Sequence, residues 1–327
     1  MASEPAYLLY RLNNLPKTNV VQKAYVGATY VYALQLYDAN TNVVISRVPK
    51  ASATDTYDLD FSGANAEHMY LLNMGHGQTF EYFTHKGLDY WWIVTKGDGT
   101  TENWGTQVGR IQFEANTEAS TPYNGNTTIT RLSMFSIATT VGSAYGKIHR
   151  VEAELSTTND SNRLLLIARI DTDLMGHFTL YDNEKVNNLL DTVDAEHGNY
   201  SCGDLTSALA SDPIREIKNI TNGALLNDSV QGFDISDGRA IYISGGQAKG
   251  DDHATQDTPA ISKYYWGTES LVQNSLYNTN WSSQNIETEG VQISSDLYVG
   301  ISYHQTMSPY STEQNRIYRT DKSLWDE

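Results

Sequence analysis

The stretch Ser229-Val-Gln231-Gly-Phe-Asp-Ile-Ser-Asp237 returns, little changed, as Glu289-Gly-Val-Gln-Ile-Ser-Ser-Asp296. Self-similarity at a spacing of tens of residues marks a repeat architecture. Its core is a Gln or Glu, then a small residue, then an apolar one. Looser copies stand at Val20-Val-Gln22-Lys23, His76-Gly-Gln78-Thr-Phe80 and Arg150-Val-Glu152-Ala153, with the key residues 56 to 79 positions apart. After each copy, 8 to 12 residues on, comes an apolar run: Tyr30-Val-Tyr-Ala-Leu-Gln-Leu36, Tyr90-Trp-Trp-Ile-Val94, Leu164-Leu-Leu-Ile-Ala168, Ala240-Ile-Tyr-Ile-Ser244 and Leu297-Tyr-Val-Gly-Ile301. All are short and rich in β-branched and aromatic residues, and turn signals such as Gly97-Asp-Gly99 bound them.

A further strand-like segment closes each unit: Val43 to Val48, Val108 to Phe113, His177 to Tyr181, Ile261 to Trp266 and Arg316 to Arg319. Five units of roughly 60 residues, each with three or four strands, are the signature of propeller blades and exceed a solenoid repeat. The chain is therefore expected to be all-β: a five-bladed β-propeller in a single domain, residues 1–327, with blades starting near 20, 76, 150, 229 and 287. Tyr7-Leu-Leu-Tyr-Arg-Leu12 precedes the first unit and is similar to Ile317-Tyr-Arg319. It is expected to complete the last blade and so remove a free sheet edge. Helical periodicity is almost confined to Glu184 to Asp191, with a weaker candidate at Leu205 to Leu209.

The 327 residues carry 39 acidic and 22 basic side chains, a net charge of −17. That balance opposes nucleic-acid binding, which needs a basic face, and cationic membrane disruption. No apolar run reaches the ~20 residues of a membrane helix. The single cysteine, Cys202, excludes an internal disulfide. The start, Met1-Ala-Ser-Glu-Pro5, lacks the charged and apolar regions of a signal peptide.

The inner strand of a blade lines the axial channel, so Gln22, Gln78, Glu152, Gln231 and Glu289 are expected to form a ring near one mouth. Amides and carboxylates there can hydrogen-bond neighbouring backbones, or they can hold a ligand. Glu152 and Glu289, with His76 and His149 near by in the sequence, are the candidates for a sugar site. They are also the only ring pair that could serve as the two carboxylates of a glycosidase. Trp104, in Thr101-Glu-Asn-Trp104, and Trp281, in Asn278-Thr-Asn-Trp281, lie in polar loops and are candidates for stacking on sugar rings. Other chemistry has little support. Nucleophile-elbow, zinc-protease and phosphate-loop motifs are missing. His68, His76 and His85 have no zinc spacing. Asp171-Thr-Asp173 and Asp234 to Asp237 match no calcium loop. Neither a cofactor nor a metal is expected.

Several of these segments resemble the helveticin J family, the large heat-labile class III bacteriocins of lactobacilli. They are Val20-Val-Gln-Lys23 with Val26-Gly and Tyr30 to Leu36, then Gly176-His-Phe-Thr-Leu-Tyr181, then Ser229 to Asp234 with Ala240 to Ser244. Val291-Gln-Ile293 through Tyr303-His304 to Arg316-Ile-Tyr318 follows. The matches run in one order from about residue 19 to 320, while 114–147 and 195–226 give none. The resemblance implies a secreted or cell-surface antibacterial protein that acts on related Gram-positive cells. The residues themselves supply the candidate contacts for an envelope carbohydrate or surface receptor, by non-covalent hydrogen bonding and stacking: His76, Gln78, Trp104, Glu152, Gln231, Trp281 and Glu289. The alternatives are a wall hydrolase of glycosidase type using Glu152 and Glu289, and a surface-layer-associated adhesion protein without killing activity.

Overall fold

The computed structural model describes residues 3–50, 57–115, 122–125, 127–136, 147–157, 163–250, 253–268, 270–305 and 308–326. Five sheets surround a central axis, each with a four-stranded antiparallel meander. This is the expected five-bladed propeller. The inner strands are Val21–Val26, Phe80–His85, Ile148–Leu155, Gly232–Ile235 and Asn285–Ile293, in blades 1 to 5. The apolar runs form the second strands: Tyr30–Tyr37, Leu88–Gly97, Leu164–Asp171, Ala240–Gly245 and Leu297–Gln305.

Those runs lack polar alternation because a blade has no solvent face. Five apolar clusters fill the five gaps between blades, and each second strand feeds two of them. Leu165 and Ile167 point into the cluster between blades 2 and 3. Leu166, Ala168 and Ile170 point into the one between blades 3 and 4. Tyr32, Leu34 and Leu36 face blade 2, while Val31 and Ala33 face blade 5. A period-2 pattern remains, but both phases are apolar.

The ring closes on its own N-terminus. Tyr7–Asn13 is the fourth strand of blade 5 and pairs antiparallel with Ser308–Thr320. The expectation for Tyr7 to Leu12 therefore holds.

Short parallel strands add a second linkage that the repeat pattern does not reveal. Tyr123–Asn124, on the way to the outer strand of blade 2, caps the outer edge of blade 1. Asn199–Ser201, from blade 3, caps blade 2. Ser3–Pro5, leading into the outer strand of blade 5, caps blade 4. Asp58–Asp60, from blade 1, caps blade 5. In each case the strap belongs to the following blade and precedes its outer strand. Blade 3 has no such strap among the described residues. The corresponding connection in blade 4 spans only 266–270, too short for the excursion. There Trp266 reaches back instead, its Nε1 donating to the Asp212 carbonyl at 2.8 Å.

The helix Asn183–Asp194 lies where the sequence predicts one, capped by Asp182, whose carboxylate accepts the Lys185 N–H. Val186 and Leu190 enter the cluster between blades 2 and 3. The weaker candidate is a 3₁₀ segment, Cys202–Ala208. No helix among the described residues is long and apolar enough to cross a membrane.

Candidate ligand site in the axial channel

Polar side chains of the inner strands fill the channel in two tiers. The first lies towards the strand starts. Arg150 is buried at its centre and donates from Nε to Glu152 at 2.8 Å, and also to the Gln78 amide oxygen and the Val230 carbonyl. Glu152 further accepts the Gln78 N–H at 3.0 Å and the Thr79 hydroxyl at 2.6 Å. The Gln78 amide nitrogen donates to Gln231 and Glu289, both at 3.4 Å. Burial raises the Glu289 carboxyl well above the usual range, and nearby Glu287 adds to the effect.

Above this tier lies a half-buried rim. His76 stacks on Trp104 with ring centroids 3.8 Å apart, and its Nε2 meets Gln22 Oε1 at 2.9 Å. Burial and the Arg150 charge push the His76 ring down to about 3, so it is neutral at physiological pH. The Arg150 guanidinium lies 4.2 Å from the Trp104 ring centre. Gln231 donates to Glu287 at 3.3 Å.

The second tier lies towards the strand ends and centres on Lys23, which is fully buried. Its ammonium contacts Glu154 at 2.9 Å and Glu81 at 3.1 Å, and donates to the Val291 and Phe233 carbonyls at 2.7 and 3.2 Å. Asp234 accepts the Ile235 and Ile293 N–H groups. Burial alone would make Lys23 easier to deprotonate. The Glu154 and Glu81 charges outweigh that and hold it charged. Burial raises Glu154 well above its usual range despite Lys23, and burial with the Glu81 charge pushes Asp234 up to about 8. Oxygens of Glu81, Glu154 and Asp234 lie within 4.8 Å of one another, a donor set that suits a hard cation. Lys23 already places one positive charge among these three carboxyl groups, in contact with Glu81 and Glu154. The packing requires glycine at Gly290, where a Cβ would come within 2.6 Å of Lys23 Cδ.

The structure thus brings together Gln22, His76, Gln78, Trp104, Glu152, Gln231 and Glu289, though not as five equivalent positions. β-Bulges shift the inner strands, at Gln22 in blade 1, His149 in blade 3 and Glu289–Gly290 in blade 5. Gln22 consequently bonds to His76, apart from the other four. Trp281 lies elsewhere. It is buried between blades 4 and 5 and packs edge-on to Tyr318, so its ring offers no open face. Lys23, Glu81, Glu154 and Arg150 were not singled out by the pattern. Lys23 and Arg150 stand beside cassette residues, and Glu81 follows Gln78 by the same three positions as Asp234 follows Gln231.

The remaining candidates have structural partners. Asp171 binds the N–H groups of Asp173 and Met175 and pairs with His177 at 2.9 Å. Asp237 accepts the Thr157 hydroxyl. His68 and His85 lie apart from His76, on Ser46 and on Glu184 with Asp191. Cys202 is buried and accepts from Arg169 at 3.1 Å.

These features define a five-bladed propeller whose channel is plugged by two polar tiers. The chain belongs to the helveticin J family: the family described as "Bacteriocin helveticin-J" matches residues 3–323. It is 27% identical to bacteriocin helveticin-J of Lactobacillus helveticus over 91% of each chain. Among solved structures it is similar to a thermostable family-43 glycoside hydrolase, at 9% identity and a TM-score of 0.47, covering 95% of this chain and 92% of that one. It is also similar to polysaccharide lyase Uly1, at 7% identity and a TM-score of 0.39, covering 97% of each chain.

Proposed function

We propose that this protein is a secreted, helveticin-like antibacterial protein that recognises a glycan or receptor of the Gram-positive envelope by non-covalent binding. Family membership supports the antibacterial role. The observation that favours binding over hydrolysis is how Glu152 is held. Its two oxygens are engaged by Arg150, the Thr79 hydroxyl and the Gln78 N–H. A general acid or base needs access to substrate, whereas this carboxylate is sealed in the channel wall. The half-buried rim of His76, Trp104, Gln22, Gln231 and Glu287 is the contact surface in this reading. It offers amides and a carboxylate for hydroxyl groups, and the rim of the Trp104 ring adds apolar contact area.

The test combines retention on isolated wall fractions with dye release and wall solubilisation on susceptible cells. Wild-type protein is expected to be retained and to kill without solubilising wall, and Glu152→Gln and Glu289→Gln are expected to kill undiminished. Trp104→Ala should weaken retention about tenfold, the scale of one lost aromatic contact. Wall solubilisation abolished by either carboxylate variant would establish the hydrolase instead. Retention without inhibition of any indicator strain would assign the protein to envelope adhesion.

A further inference from the structure

The channel's other end, where the inner strands finish, opens into two adjoining pockets. They share Tyr25, Gly27 and Ala28 of the first hairpin of blade 1. The inner pocket, about 380 Å³, reaches Glu81, Asp234, Gln292 and Arg163. The outer one, about 350 Å³, is walled by Tyr30, Tyr32, Tyr82 and Trp91, with Arg47 and Asp89 at its edge. Each volume is at the lower end of the range for ligand pockets.

We infer that this trough is a binding site for a neutral pyranose oligosaccharide, at the opposite end of the channel from His76 and Trp104. Three observations carry the inference. First, the aromatic wall is preorganised. Tyr25 meets Trp91 edge-on at 5.0 Å, Tyr82 is tilted against Trp91 at 5.3 Å, and the Arg47 guanidinium lies 4.4 Å from the Tyr30 ring centre. Rings fixed by one another lose little entropy when a sugar's C–H face packs on them. Second, the outer edge favours hydroxyl groups over an anion. Arg47 pairs with Glu67 at 2.5 Å, and Asp89 keeps its negative charge while it accepts the Tyr82 hydroxyl at 2.7 Å. A phosphate would meet that charge and an Arg47 already paired, whereas neutral hydroxyls can bond to both groups. Third, the inner end holds a buried acceptor. Glu81 Oε1 lies 3.1 Å from the Lys23 ammonium but accepts no hydrogen bond in a suitable geometry. A sugar hydroxyl is a donor of the right kind for it.

The site stands whether or not the protein kills, so its test is independent of the killing assay. Calorimetric titration of the full chain with cellotetraose, maltotetraose and chitotetraose, and with heparin as a polyanion, decides it. At least one neutral tetrasaccharide should bind. Ala28→Trp, which fills the junction of the two pockets from an exposed hairpin, should weaken that binding at least tenfold, and Asp89→Ala severalfold. Thermal melting checks folding. If Ala28→Trp fails to fold, Asp89→Ala decides alone. Binding unchanged in the folded variants, no binding of any neutral sugar, or binding of heparin alone would each overturn the inference.

Discussion

At the scale of single residues, the channel is governed by burial of charge. Glu154, Asp234 and Glu289 all have their proton affinity raised, chiefly because burial penalises the carboxylate. A carboxyl group with a raised value in the folded state stabilises the fold fully below its unfolded value. That contribution is lost as pH rises through the folded value, about 8 for Asp234. His76 works in the opposite sense, but only at pH values near and below its ordinary 6.5. Between pH 6.5 and 8 Asp234 therefore titrates without opposition from His76, and the melting temperature should fall by a few degrees as pH rises. Asp234→Asn removes that group, so scanning calorimetry should show a shallower fall across that window. An equal slope in the variant would remove Asp234 from this explanation.

At the scale of strands, blade 5 depends on a segment distant in sequence. Without Tyr7–Asn13, the partner strand Ser308–Thr320 would present unpaired backbone groups at an edge, a template for association. Tyr10 and Leu12 would also leave the cluster between blades 5 and 1. Deleting residues 1–13 should convert the protein from its native size to larger species on size-exclusion chromatography, with loss of a single cooperative melt. The second strands were legible in the sequence because burial on both sides selects unbroken apolar runs such as Leu164 to Ala168. The N-terminal strand was legible because Tyr7 to Leu12 is similar to Ile317 to Arg319. The lower channel tier was not. The bulges at Gln22 and Glu289–Gly290 break the alternation that would have aligned Lys23 with Glu81, Glu154 and Asp234. Trp281 was misleading for a related reason: its loop is polar, yet the indole folds under it onto Tyr318. The straps were invisible because two or three residues paired with another blade leave no periodic trace.

At the scale of the whole ring, the straps make the blades unequal. The outer strand of blade 3, Leu209–Ile217, has no parallel partner among the described residues, and Pro213 interrupts its run of donors. Local opening should start where fewest contacts hold an edge. Native-state hydrogen exchange should therefore be at least tenfold faster for the outward-facing amides of 209–217 than for those of Gly105–Ile111, which lies between two strands of blade 2. Equal protection would show that side chains of blade 4, Trp266 on Asp212 and Arg239 on Ser211, secure this edge without a strap. The overlap also gives the ring a direction, like roof tiles laid one over the next with, among the described residues, a single uncovered joint. Joining the present ends and reopening the chain at 266–270 would sever no cross-blade strand, whereas reopening it at 50–57 would separate Asp58–Asp60 from the sheet before it. The seam between blades 3 and 4 is thus where this fold best tolerates new termini or an inserted domain.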